Sequence, residues 1–154
     1  MNKAYAAALR LLTRREHGAF ELHNKLKLKG FAPEEIAKAL KECQSLGLQD
    51  DRRFAESFCR MRVRQGYGPV RVEQELKNLR IVPEIVEEVI EGDQESWVHY
   101  AFAVWEKKYK SPADNFAEMQ KQKRFLLYRG FTPDVIAEVE AGWRRNPKMK
   151  HEEG

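Results

Sequence analysis

The chain has 154 residues, with 28 lysines and arginines against 24 aspartates and glutamates, for a net charge of +4. Charged residues make up 34% of it, above the ~25% of an average globular protein, and apolar runs such as Ala6–Leu9 fall far short of the ~18 residues that span a membrane. Three tryptophans, eight phenylalanines and five tyrosines supply a core to bury, which excludes a disordered chain. Length alone suggests about one domain. At the start, Tyr5, Ala8, Leu9 and Leu12 fall at i, i+3, i+4 and i+7, the spacing of an amphipathic helix. Arg10 breaks the apolar run and no small-residue cleavage site follows, so this is a helix of a cytoplasmic protein and not a signal peptide.

Leu22, Leu26 and Leu28 carry a second helix, and Ile36 lies on a third that starts at Pro33. Leu46–Asp51 ends that helix at Gly47 and caps the next, with Asp50-Asp51 as the N-cap pair. Phe54, Ala55, Phe58 and Met61 form the stripe of a fourth helix. Gly66-Tyr67-Gly68-Pro69 is a turn into a fifth, marked by Val72, Leu76 and Leu79, because proline suits a first helical position. A sixth helix begins at Pro83. Glu91–Ser96 ends it at Gly92 and caps a seventh, which carries Val98, Ala101, Phe102 and Trp105. A longer loop, Lys110–Asn115, leads to an eighth helix with Phe125 and Leu126, and a ninth begins at Pro133. The segment 146–154 is a polar, frayed tail.

These elements repeat. LKLKGFAPEEIAKAL (26–40), LKNLRIVPEIVEEVI (76–90) and LLYRGFTPDVIAEVE (126–140) align at intervals of fifty, with Pro33, Pro83 and Pro133 in register. Gly30 and Gly130 suit a left-handed helix stop. Each proline lacks an N–H that a first helical turn leaves unpaired anyway. Glu34, Glu84 and Asp134 then meet the positive end of the new helix dipole. Phe31, Ile81 and Phe131 are placed to pack as hydrophobic staples. The reading is all-α: three tandem three-helix repeats, about nine helices, at 1–49, 50–95 and 96–145, in an elongated array with room to curve. A fifty-residue unit buries too little surface to be robust alone.

Reaction chemistry finds little support. Cys43 and Cys59 stand at no zinc or redox spacing and read as reduced thiols, with Cys59 in the core. His17, His23, His99 and His151 form no metal-ligand motif. The glycine cluster lacks the Lys-Ser/Thr of a phosphate loop, and no serine sits in G-x-S-x-G. No constellation of catalytic groups assembles, which argues against an enzyme and against a cofactor or metal.

Asp50-Asp51-Arg52-Arg53-Phe54-Ala55, followed by Arg64-Gln65-Gly66-Tyr67-Gly68-Pro69, resembles the RecX family, the bacterial regulators of the RecA recombinase. Leu9–Leu12, Arg14-Arg15-Glu16, Glu21-Leu22, Lys25-Leu26 and Lys29-Gly30-Phe31 extend the resemblance at one end. Lys123–Leu126 and Arg129-Gly130-Phe131 extend it at the other. Leu79-Arg80-Ile81 departs from the family's Lys-Gly-aliphatic pattern and weakens one helix stop. The resemblance implies three tandem three-helix repeats. It also implies a monomer that binds the RecA filament on DNA and mainly inhibits its ATPase, coprotease and recombinase activities, in the regulation of DNA repair, homologous recombination and the SOS response.

Charge is uneven. Arg52–Arg80 holds eight basic and three acidic residues, while Ile81–Glu95 holds six acidic and no basic ones. Arg53, Arg60, Arg64 and Arg71 are candidates for a basic contact face. Arg14, Arg15, Lys25 and Lys29 extend it in the first repeat, and Lys121, Lys123, Arg124 and Arg129 in the third. Arginine suits that role because its planar guanidinium pairs bidentately with carboxylate or phosphate. The competing reading is a solvated helix face with ion pairs along it. Tyr67 is a candidate aromatic anchor, or else a plug between helices. Trp97, Trp105 and Trp143 read as packing residues. Besides the filament, single- or double-stranded DNA is a direct partner if the three-helix units act like helix-turn-helix modules.

Overall fold

The computed structural model describes residues 2–92 and 94–145. Among these, nine α-helices and no strand are present. They are α1 (Lys3–Arg14), α2 (Ala19–Leu28), α3 (Pro33–Ser45), α4 (Asp51–Arg64), α5 (Pro69–Asn78), α6 (Pro83–Gly92), α7 (Trp97–Tyr109), α8 (Phe116–Tyr128) and α9 (Pro133–Arg145). No helix among the described residues is long and apolar enough to cross a membrane. The polar tail 146–154 expected from the sequence lies outside the described residues, as does Asp93.

The repeat is expressed as one local turn. After α2, Gly30 N–H donates to Lys27 C=O (3.0 Å) and Phe31 N–H to Leu26 C=O (3.3 Å). After α5 the same bonds run from Arg80 to Lys77 (3.0 Å) and from Ile81 to Leu76 (3.1 Å). After α8 they run from Gly130 to Leu127 (3.0 Å) and from Phe131 to Leu126 (3.2 Å). This pairing satisfies the orphan carbonyls of a helix end and requires a left-handed residue. Gly30 (φ +93°) and Gly130 (φ +99°) supply it, and so does Arg80 at φ +61°. The departure at Leu79-Arg80-Ile81 therefore does not remove the helix stop; it loads the stop with a side chain. The Arg80 guanidinium lies 5.0 Å from the centre of the Phe20 ring, an attraction that offsets part of the cost. Each turn feeds the proline that opens the next helix, with Glu34, Glu84 or Asp134 in its first turn.

Backbone contacts divide the chain into two compact units. The described residues of Met1–Cys59 with Glu75–Val89 form one, and those of Arg60–Gln74 with Ile90–Gly154 form the other. In the first unit α1 packs on α3 and α2 around Ala7, Ala8, Leu22, Leu26, Ile36 and Cys43. Alanines on α1 let the helix axes approach, while each buried leucine contributes about 1.5–3 kcal/mol. Burial pushes the Cys43 thiol up, which keeps it un-ionised. Leu28, expected on the α2 stripe, is instead 88% exposed. Six residues beyond Leu22 is about 240° around a helix, off the buried face.

In the second unit Trp97, Ala101 and Trp105 make one buried line along α7. The Trp97 indole N–H donates to Ile90 C=O (3.1 Å), and that of Trp105 to the buried Gln122 amide oxygen (2.9 Å). Trp143 on α9 packs against Trp105. All three tryptophans are core residues, as expected. The joint before α7 differs from expectation: Ser96 makes no side-chain cap bond, and a 3₁₀ turn over Gln94–Ser96 leads in.

Candidate interaction surfaces, unit by unit

In the first unit the paired aspartates divide their work. Asp50 caps α4, accepting from Arg52 N–H (2.9 Å) and Arg53 N–H (3.1 Å). Asp51 faces the other way and accepts from Ala19 N–H at the start of α2 (2.8 Å) and from the Gln49 amide (2.9 Å). It caps a neighbouring helix and not its own, a correction that only tertiary contact reveals. Gln49, buried, also donates to His17 C=O (3.1 Å).

Most of the candidate cations in this unit are engaged internally. Arg53 donates from Nε to Glu16 (2.5 Å) and from Nη2 to Gly47 C=O (2.9 Å). The Glu16 hydrogen bond pushes its guanidinium pKa up. Arg15 forms a two-pronged pair with Glu21 (3.0 and 2.6 Å). Burial alone would raise the Glu21 carboxyl, but Arg15 holds it below its usual range. Lys25 Nζ lies 2.9 Å from His17 Nε2 and 4.0 Å from Glu21. His17 is 1% exposed, and burial pushes its pKa down. The neutral ring donates from Nδ1 to Arg15 C=O (3.1 Å) and accepts at Nε2 from Lys25. Arg14 and Lys29 are exposed and in no ion pair among the described residues.

The second unit is built around crossed turns. Gly68 N–H donates to Arg129 C=O (2.8 Å) and Val70 N–H to Gly130 C=O (2.9 Å). A Cβ on Gly68 would sit 2.5 Å from the Gly130 carbonyl carbon, and one on Gly130 would sit 2.8 Å from Arg71 Cβ. Two backbones meet here with no room for a side chain, which is why both turns carry glycine. The crossing gathers three guanidinium groups about the half-buried Tyr67 ring: Arg71 at 4.3 Å, Arg129 at 5.2 Å and Arg62 at 5.5 Å from its centre. Each lies within cation–π range. Arg62 was not expected there. The turn brings it there, since Tyr67 N–H donates to Arg62 C=O (3.0 Å).

Beside this cluster lies a surface cavity of about 420 Å³. Its cations are Arg64, Lys107, Lys108 and Arg129, and Val63, Val104 and Phe125 supply apolar wall. The sequence pattern puts Arg64 and Arg129 on a contact face; the structure adds the adjacent pair Lys107-Lys108, whose signal in the sequence is two neighbouring lysines. Lys123 pairs with Glu140 (2.5 Å). Arg60, Arg64, Lys121 and Arg124 are exposed and in no ion pair among the described residues. Arg60 and Arg64 stand four apart on α4, hence on one face. No group of three or more histidines, cysteines or carboxylates is placed to hold a metal ion among the described residues.

The chain is similar to proteins of the RecX family. Models of the first, second and third three-helix domains of RecX match residues 4–43, 50–90 and 99–139. The regulatory protein RecX of Legionella pneumophila (strain Corby) is 53% identical over 140 residues, covering 90% of this chain and 93% of its own. That of Vibrio parahaemolyticus is 39% identical over 132 residues, covering 85% of each. The crystal structure of RecX from Lactobacillus salivarius superposes with a TM-score of 0.78 at 25% identity, over 91% of this chain and 94% of that one.

Proposed function

This chain belongs to the RecX family, and from that premise we propose that it binds the RecA filament on DNA and restrains its ATPase, coprotease and recombinase activities. The observation that carries the reading is the match of the first, second and third RecX three-helix domains, in order, along one chain. The relatives it matches bear the name of regulatory proteins, which favours a regulator over an enzyme. Its place of action is the bacterial cytoplasm, as a monomer, with repeats at 1–49, 50–95 and 96–145.

The exposed cations give this reading its chemistry. Arg14 and Lys29 in the first unit, and Arg60, Arg64, Lys121 and Arg124 in the second, present charge that no internal carboxylate takes up among the described residues. Such groups suit acidic side chains or phosphate. Arg15, Lys25, Arg53 and Lys123 contribute chiefly by fixing the fold through their own ion pairs. Tyr67 serves by holding Arg71 and Arg129 at the crossing.

The test is ATP hydrolysis by RecA filaments on single-stranded DNA. Adding the chain should lower the rate, and Arg60→Glu with Arg64→Glu should relieve the inhibition at least fivefold. An unchanged rate with the wild-type chain would overturn the reading. Direct DNA binding is the competing reading, favoured by the same exposed arginines. It predicts affinity for naked DNA that falls steeply with salt, since phosphate contacts release counterions.

A further inference from the structure

We propose that the cavity between α4, α7 and α8 in the second unit is a docking site for an acidic peptide segment carrying a bulky apolar side chain. Charge complementarity argues for the acidic part. Four cations line the cavity and no aspartate or glutamate does. Lys107 and Lys108 are exposed, and Arg64 is exposed and in no ion pair among the described residues.

The wall argues for the apolar side chain. Val63 and Val104 offer aliphatic surface, and the open cleft of about 420 Å³ is large enough to seat one bulky side chain. The same wall argues against a nucleobase. Single-stranded nucleic acid is held by free aromatic faces, and those here are in use. Phe125 has the Arg129 guanidinium 5.4 Å and Lys108 Nζ 5.6 Å from its ring centre, with Tyr109 edge-on at 5.6 Å. Tyr100 stands edge-on to Trp97 at 5.6 Å. Resting on the filament-binding reading, this places the segment on the filament protein and not on its DNA.

The probe is the peptide acetyl-Glu-Glu-Phe-Leu-Glu-Glu-amide, titrated into the ¹⁵N-labelled full chain. Amides of Gly66, Val104 and Lys107 should shift. A Ser-Ser replacement of Phe-Leu, and a Gln replacement of Glu, should each weaken binding at least tenfold. Ala103→Trp fills the cavity from an exposed helix position and should abolish the shifts, as should Lys107→Glu with Lys108→Glu. Absence of those shifts in the wild type, equal binding by Ala103→Trp, or tighter binding of an oligo-dT of equal charge would each overturn the assignment. RecA ATPase separates the two readings. Full inhibition by Ala103→Trp would sink the docking site and leave the filament reading intact. Peptide binding without any inhibition by the wild type would do the reverse.

Discussion

Gly30 and Gly130 hold the same place in two copies of one turn, a hundred residues apart, in different units. Both are left-handed, at φ +93° and +99°. An added Cβ on Gly30 meets nothing within 4 Å, whereas on Gly130 it would press on Arg71 at 2.8 Å. The first glycine answers only to its own backbone; the second also answers to a partner turn. Arg80, in the intermediate copy, adds a third case: a side chain is tolerated there at φ +61°, with its guanidinium over the Phe20 ring.

Substitutions at the crossing sharpen that difference most. Gly68→Ala drives a Cβ into the Gly130 backbone at 2.5 Å and should cost about 3 kcal/mol or more, because neither backbone can rotate away. Gly130→Ala adds a tight contact to left-handed strain and should cost about 2–4 kcal/mol. Gly30→Ala carries the strain alone, about 1–2 kcal/mol. Urea unfolding of the three variants checks the order; equal losses at Gly30 and Gly130 would break the comparison. Arg80→Ala keeps the left-handed strain and loses the Phe20 contact, for about 0.5–1 kcal/mol.

The smallest effect is a pH dependence in the first unit. Burial lowers the His17 pKa below its ordinary 6.5, so the unfolded chain takes up the proton first. Stability is then fully present above pH 6.5 and declines as pH falls toward the folded-state value. Urea midpoints at pH 7.5 and 5.5 should differ more for the wild type than for His17→Gln. A larger difference in the variant would place the acid sensitivity elsewhere.

Much of the fold was legible because its signals are local. Pro33, Pro69, Pro83 and Pro133 each open a helix, and Gly47, like Gly30 and Gly130, lies in a left-handed turn after one. Asn115 caps α8 through Glu118 N–H (2.8 Å). What misled was local too. Leu28 looked like a stripe residue but lies off the buried face, and Asp51 looked like a cap for its own helix but caps α2. The candidate cations were legible as a set but not one by one. Arg53 and Arg60 look alike in sequence, yet one is tied to Glu16 and the other is exposed.

Spacing, proline and glycine act over a few residues, so the nine helices among the described residues, the three repeats and the family were legible in the sequence alone. Tertiary structure decided which glycine admits no side chain, which cations are spent on the fold, and that Arg64, Lys107, Lys108 and Arg129 share one cavity. These depend on backbones and charges brought together from distant parts of the chain, and no local pattern encodes that distance.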